Sequence, residues 1–202
     1  MPGHTQIRIR GASQPMFIQT EPTPNPATLK FLPGRAVMPS GTADFTAPEQ
    51  TETSPLAEAL FGVDGVRGVF LGGDFITVTK AEDQEWHVLK PTILGAIMEH
   101  FTSGKPVIRQ EAADAAEAER QASADDDPVV AQIKELLETR VRPAVAQDGG
   151  DIVFEGFDAG IVYLTMHGAC AGCPSSTATL KMGIENMLRH YIPEVTEVRA
   201  VL

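Results

Sequence analysis

The chain has only two cysteines, one tryptophan and two tyrosines among 202 residues. Each scarcity excludes something. Two cysteines are too few for a disulfide-stapled secreted scaffold, so a reducing compartment fits better. No stretch approaches the roughly 20 consecutive apolar residues of a membrane span, and no membrane partner is expected. Basic residues are short too: 16 Lys and Arg stand against 27 Asp and Glu, a formal net charge of −11. Nucleic-acid binding depends on cationic side chains displacing counterions from phosphates, so this balance excludes it as a main function. Residues 1–16, MPGHTQIRIRGASQPM, lack an apolar h-region and a small-residue cleavage site, so they do not form a secretory signal. They read as a disordered tail on a bacterial cytoplasmic protein. Their two arginines and missing acids leave a mitochondrial matrix protein as the alternative for a eukaryotic host.

What is there suffices for two small cores: 43% of residues are hydrophobic. Between two patterned regions runs RQEAADAAEAERQASADDDP, Arg109 to Pro128, rich in Ala, Glu and Asp and without large apolar side chains. Residues 107–127 hold 2 basic and 7 acidic residues, a sharper imbalance than on either side. Whether coil or solvated helix, residues 109–127 have no face to pack and form an acidic tether. If flexible, such a tether spans about 25 Å.

The division is therefore a tail (1–16), an α/β domain (17–108), the linker (109–127) and a second domain (128–202), in the α+β class, each domain small and two-layered. In the first domain, extended pieces fall at Phe17–Thr20 and Thr28–Leu32 around a proline-rich loop. Ser54 caps a helix that starts at Pro55 and stops at Gly62. Strands Val66–Leu71 and Phe75–Thr79 form a hairpin. A last helix carries Ile93, Ile97 and Phe101 on one face, with Pro91 near its start, and ends at Gly104. His87 and His100 are isolated and read as ordinary packing or surface histidines.

The second domain opens with Asp127 capping a helix striped by Val129, Val130, Ile133, Leu136, Leu137 and Val141. A hairpin follows, Ile152–Phe157 and Ile161–Met166, broken at Asp158–Gly160. Pro174 opens a second helix, and Glu194–Leu202 closes as a strand, giving the order α-β-β-α-β. The cysteine loop then lies at the N-terminus of the second helix.

That loop is HGACAGCPSS, with Cys170 and Cys173 three apart. Gly168 and Gly172 permit a tight backbone, and the helix N-terminus favours thiolate over thiol, so the loop reads as exposed, ionisable sulfur. A dithiol–disulfide oxidoreductase is one reading of C-x-x-C. Against it, the sequence shows no parallel strand pair joined across a helix. A metal site is the other reading, and it meets a shortage: tetrahedral sulfur sites want four ligands, and this chain owns two. His167 reads as a structural or supporting residue, and Asp148 and Asp151 read as turn residues. Two copies, each lending Cys170 and Cys173, complete a four-sulfur site between protomers, filled by an iron–sulfur cluster or, in a structural dimer, by zinc. Ser175, Ser176 and Thr177 have no histidine-plus-acid partner and more simply satisfy backbone amides, so no catalytic residue is assigned and the chain is not read as an enzyme.

DGGDIVFEGFDAGIVYLTMHGACAGCPSSTATLKMGIENML resembles the C-terminal domain of NifU-like, Nfu-type iron–sulfur scaffold and carrier proteins. FIQTEPTPNPATLKFLPG and SPLAEALFGVDGVRGVFLGGDFITVTK resemble the N-terminal domain of the two-domain members. The resemblance implies a 4Fe–4S cluster, or a 2Fe–2S one, held by Cys170 and Cys173 of two protomers in a homodimer. It further implies upstream cluster-assembly partners, delivery to client apo-proteins, and a role for the first domain in recognising them.

Overall fold

A computed structural model describes residues 17–110, 112–114, 127–171 and 174–201, without the side chains of residues 174–176. The expected tail and most of the linker lie outside the described residues.

The first unit is a five-stranded sheet with helices on one face. Its strands are β1 (Gln19–Pro22), β2 (Thr28–Leu32), β3 (Ala43–Phe45), β4 (Val66–Leu71) and β5 (Ile76–Lys80), in the order β1-β2-β5-β4-β3, antiparallel throughout. Two helices, α1 (Pro55–Phe61) and α2 (Trp86–Ser103), cover the first face. Ser54 caps α1 as expected: its hydroxyl accepts from the Ala57 amide at 3.1 Å and donates to the Val107 carbonyl at 2.7 Å. Gly104 ends α2 in the left-handed conformation at φ 70°. Strand β3 and a 3-10 turn at Pro48–Thr53 were not foreseen.

Because side chains alternate across a strand, each strand offers one row to each face. Phe31, Val69, Leu71, Ile76 and Val78 join Leu56, Leu60, Ile93 and Ile97 in the core under the helices. The opposite row is Lys30, Thr77, Phe70 and Asp44, aligned directly across four strands by the register Lys30–Thr77, Thr77–Phe70 and Phe70–Asp44. Of this row Lys30, Thr77 and Phe70 are buried as well. Something therefore covers the second face, and it is the other half of the chain.

That half begins with α3 (Pro128–Leu136), a π-helical turn at Leu137–Val141 and α4 (Arg142–Gln147). Pro143 has no amide to offer the preceding turn, and the π turn beside it absorbs the misfit. The turn keeps Ile133, Leu137, Val141 and Val145 on one buried face. Next come β6 (Gly150–Asp158), β7 (Ile161–Gly168), α5 (Pro174–Tyr191) and β8 (Glu197–Val201), so the order is α-β-β-α-β with the first helix bent into pieces. Ala159 at φ 47° and Gly160 at φ 84° make the tight turn between β6 and β7. Val162, Leu164 and Met166 alternate inward to meet Ile184, Leu188 and Ile192 of α5.

The sheet order is β6-β7-β8, with β6 and β7 antiparallel and β7 and β8 parallel. This corrects the expectation that no parallel pair is joined across a helix. β7, α5 and β8 are such a unit, and the cysteine loop is its strand-to-helix turn. The last strand's partner is fixed by long-range packing of Val198 into the core, which local patterning cannot reveal.

Candidate functional site

The glycine before β6, the one that opens it and the one that ends β7 shape the loop. Gly149 and Gly168 have φ of 82° and 62°, a region that side chains rarely adopt. Gly150 pairs with Gly168 and Asp151 with His167 across the β6–β7 ladder. The Ala169 amide donates to the Gly149 carbonyl at 3.1 Å, and the Cys170 amide to the His167 carbonyl at 3.3 Å. A Cβ on Gly150 would stand 2.6 Å from Cys170 Sγ, so the sulfur rests against bare backbone there.

Cys170 is 7% exposed and packs within the core of the second unit. Burial pushes its thiol up to about 12, and the carboxylates of Asp148 and Asp151 add to the effect. This corrects the expectation of an exposed, readily ionised sulfur at position 170. The loop's Gly and Ala composition signals a tight turn, and tightness here tucks the side chain inward. Cys173 lies outside the described residues. Thr177 also departs from expectation: its hydroxyl donates to the Cys170 carbonyl at 3.0 Å, so it secures the cysteine's backbone instead of a helix amide. Ser175 and Ser176 have no described side chains.

Asp151 is not a turn residue. It is 3% exposed, and Arg142 reaches it through Nε at 2.8 Å and Nη2 at 2.7 Å, a fork matched to a carboxylate. Its second oxygen also accepts from the Thr42 hydroxyl at 2.7 Å. Asp148, by contrast, sits at the C-terminal end of α4, as its turn reading requires. His167 is structural: Nδ1 lies 2.8 Å from Asp44 Oδ2 on β3, and that partner raises its pKa against the opposing effect of burial. Among the described residues no three His, Cys, Asp or Glu side chains converge to hold a metal ion. The links of Asp151 to Thr42 and of His167 to Asp44 leave no mark in the sequence, because both reach across to the first unit.

Two small α+β units in tandem, the second turning from a parallel strand into a helix through a C-x-x-C loop, define a protein organised around one cysteine pair. The comparisons with known proteins assign its family. A model of the scaffold protein Nfu/NifU N-terminal domain matches residues 18–104, and a NifU-like domain model matches residues 133–199. The chain belongs to the two-domain Nfu/NifU family of scaffold proteins. It is 54% identical over 192 residues to NifU-like protein 4, mitochondrial, of Arabidopsis thaliana, covering 94% of this chain and 68% of that protein. It is 53% identical over 188 residues to the NFU1 iron-sulfur cluster scaffold homolog, mitochondrial, of Homo sapiens, covering 93% and 72%. The solution structure of a NifU-like protein from Saccharomyces cerevisiae covers 55% of this chain and 99% of its own, at 27% identity and a TM-score of 0.45. The named relatives are mitochondrial, which agrees with the mitochondrial alternative and gives the bacterial cytoplasm no support.

Proposed function

We propose that this chain is an iron–sulfur cluster scaffold and carrier, in which Cys170 and Cys173 of two protomers together hold a 4Fe–4S cluster that is then passed to apo-proteins. The supporting observation is the thiol count: two cysteines, both in one strand-to-helix turn, supply half of a four-thiolate site. Relatives that carry the words iron-sulfur cluster scaffold in their names point the same way. The mitochondrial relatives support a mitochondrial setting for this work. The cluster is cargo, and the chain's task is to bind it firmly enough to carry and loosely enough to release. Ligation replaces the proton on each thiol with iron, so the burial that holds the proton on Cys170 has to be relieved, or outweighed by the iron–sulfur bond, as the cluster is loaded. Release proceeds by ligand exchange: a client thiolate bonds to iron as one carrier thiolate leaves and takes up a proton.

The parallel β7–α5–β8 unit also keeps a dithiol–disulfide oxidoreductase in view, since redox C-x-x-C pairs occupy such turns. The match of residues 133–199 to the NifU-like domain model favours the carrier over it. Anaerobic reconstitution with iron and sulfide separates the readings. The carrier gives a brown protein with one cluster per two chains by native mass and Mössbauer spectra, and Cys173→Ser abolishes loading while leaving the far-ultraviolet dichroism intact. A cluster assembled on a monomer, or uptake that survives loss of both thiols, refutes it. A colourless zinc dimer, or catalytic reduction of a test disulfide, establishes a rival.

A further inference from the structure

The row Lys30, Thr77, Phe70 and Asp44 meets the cysteine-loop end of the second unit at every position. Lys30 Nζ donates to the Ala146 and Gln147 carbonyls, each at 3.1 Å, and so caps the C-terminal end of α4 from the other unit. The Thr77 hydroxyl donates to the Gly149 carbonyl at 2.7 Å. The Phe70 ring lies where a Cβ on Gly168 would stand 2.9 Å away, and Asp44 engages His167. At the margins, Asn25 Nδ2 donates to the Ala171 carbonyl at 3.2 Å, and Thr42 to Asp151. The polar and glycine features at this seam match one another. Gly149 and Gly168 bring backbone against Thr77 and Phe70 where any side chain would collide. A buried lysine and a buried threonine are tolerated because carbonyls of the second unit accept from them.

We propose that this sheet face of the N-terminal domain is a docking face for the cysteine-loop end of its own C-terminal domain, and that the two domains must part before a second copy can share a cluster there. The docked form is a closed apo state. The first domain contacts Ala171, which lies between the two cysteines, His167 and Gly168 at the end of β7, and Asp151 on β6, so a partner's cysteine loop has to compete with it for this end of the domain. The second half of the proposal rests on the shared-cluster reading above; the docking face does not.

The experiment uses the full apo chain, wild type beside Asp44→Lys and Lys30→Met, singly and together. Small-angle scattering reads domain separation, and amide hydrogen exchange with peptide mass analysis reads opening of the segments the first domain touches, around Gly149 and His167–Ala171. Docking predicts a larger radius of gyration and exchange of those segments at least five-fold faster in the double variant, with cluster loading faster in step. An unchanged radius and exchange rate in a folded variant overturns the docking face. If the double variant does not fold, Asp44→Lys alone, at the edge strand, decides by the same two readouts. Separation without any loading by either protein sinks the cluster reading and leaves docking standing. Loading that is normal on a chain still closed by scattering overturns the requirement that the domains part.

Discussion

At the scale of single residues, the cysteine loop is governed by glycines more than by its charges. Gly150 lies where a methyl group would meet Cys170 Sγ at 2.6 Å and the His167 carbonyl at 2.7 Å, neither of which is the free end of a flexible side chain. Gly150→Ala therefore displaces the cysteine or its strand. It is expected to cost about 1–3 kcal/mol in denaturant unfolding, the usual range for forcing a methyl group into a packed site. It should also reduce the fraction of chains that load cluster, measured by iron per protein. The position of Cys170 itself was legible; its burial was not. Glycine and alanine around a thiol look the same in sequence whether the turn points outward or folds against Gly150. Asp151 is a similar case, since its ion pair with Arg142 is nine residues distant and its other side-chain partner, Thr42, belongs to the other domain.

At the scale of elements, local signals carried far. Ser54–Pro55 marks the start of α1, Ala159–Gly160 the β6–β7 turn, and Gly104 the end of α2, each because a single residue's backbone preference fixes the boundary. Strand β3 has three residues and too little pattern to register, and β8 pairs with β7 only after α5 has crossed the sheet. His100 on α2 shows the same limit. It is 4% exposed, its Nε2 has no hydrogen-bond partner among the described residues, and burial together with Lys105 lowers its pKa. A histidine held neutral when folded takes up a proton more readily unfolded. Above its ordinary pKa of about 6.5 it adds no pH dependence, and stability falls as pH drops from there toward the lowered folded value. Urea unfolding followed by Trp86, the only tryptophan and a residue of α2, should show this decline as pH falls below about 6.5. In His100→Leu the slope should be shallower than in the wild type.

At the scale of the whole molecule, two hydrophobic cores are joined by a seam of directed polar contacts. The first core centres on Phe31, Leu56 and Ile97, the second on Ile133, Leu164 and Leu188. Neither shares a buried apolar residue with the other, so the seam alone couples their unfolding. Scanning calorimetry of the apo wild type should give one merged transition, and Asp44→Lys with Lys30→Met should resolve it into two. Two transitions already present in the wild type would show that the seam contributes little coupling. Sequence alone pointed to two domains but not to this seam, because each of its residues has an ordinary explanation inside its own domain.

The aligned row has a consequence for the newborn chain. Its four members come from four strands, so the platform exists only once all of them have paired, and all four precede the cysteines in order of synthesis. At ribosomal speeds of about 5–20 residues per second, the earlier half has several seconds to mature before the thiols leave the tunnel. They emerge beside a finished face of their own polypeptide, against which the glycine-lined end of the second domain can settle as it folds.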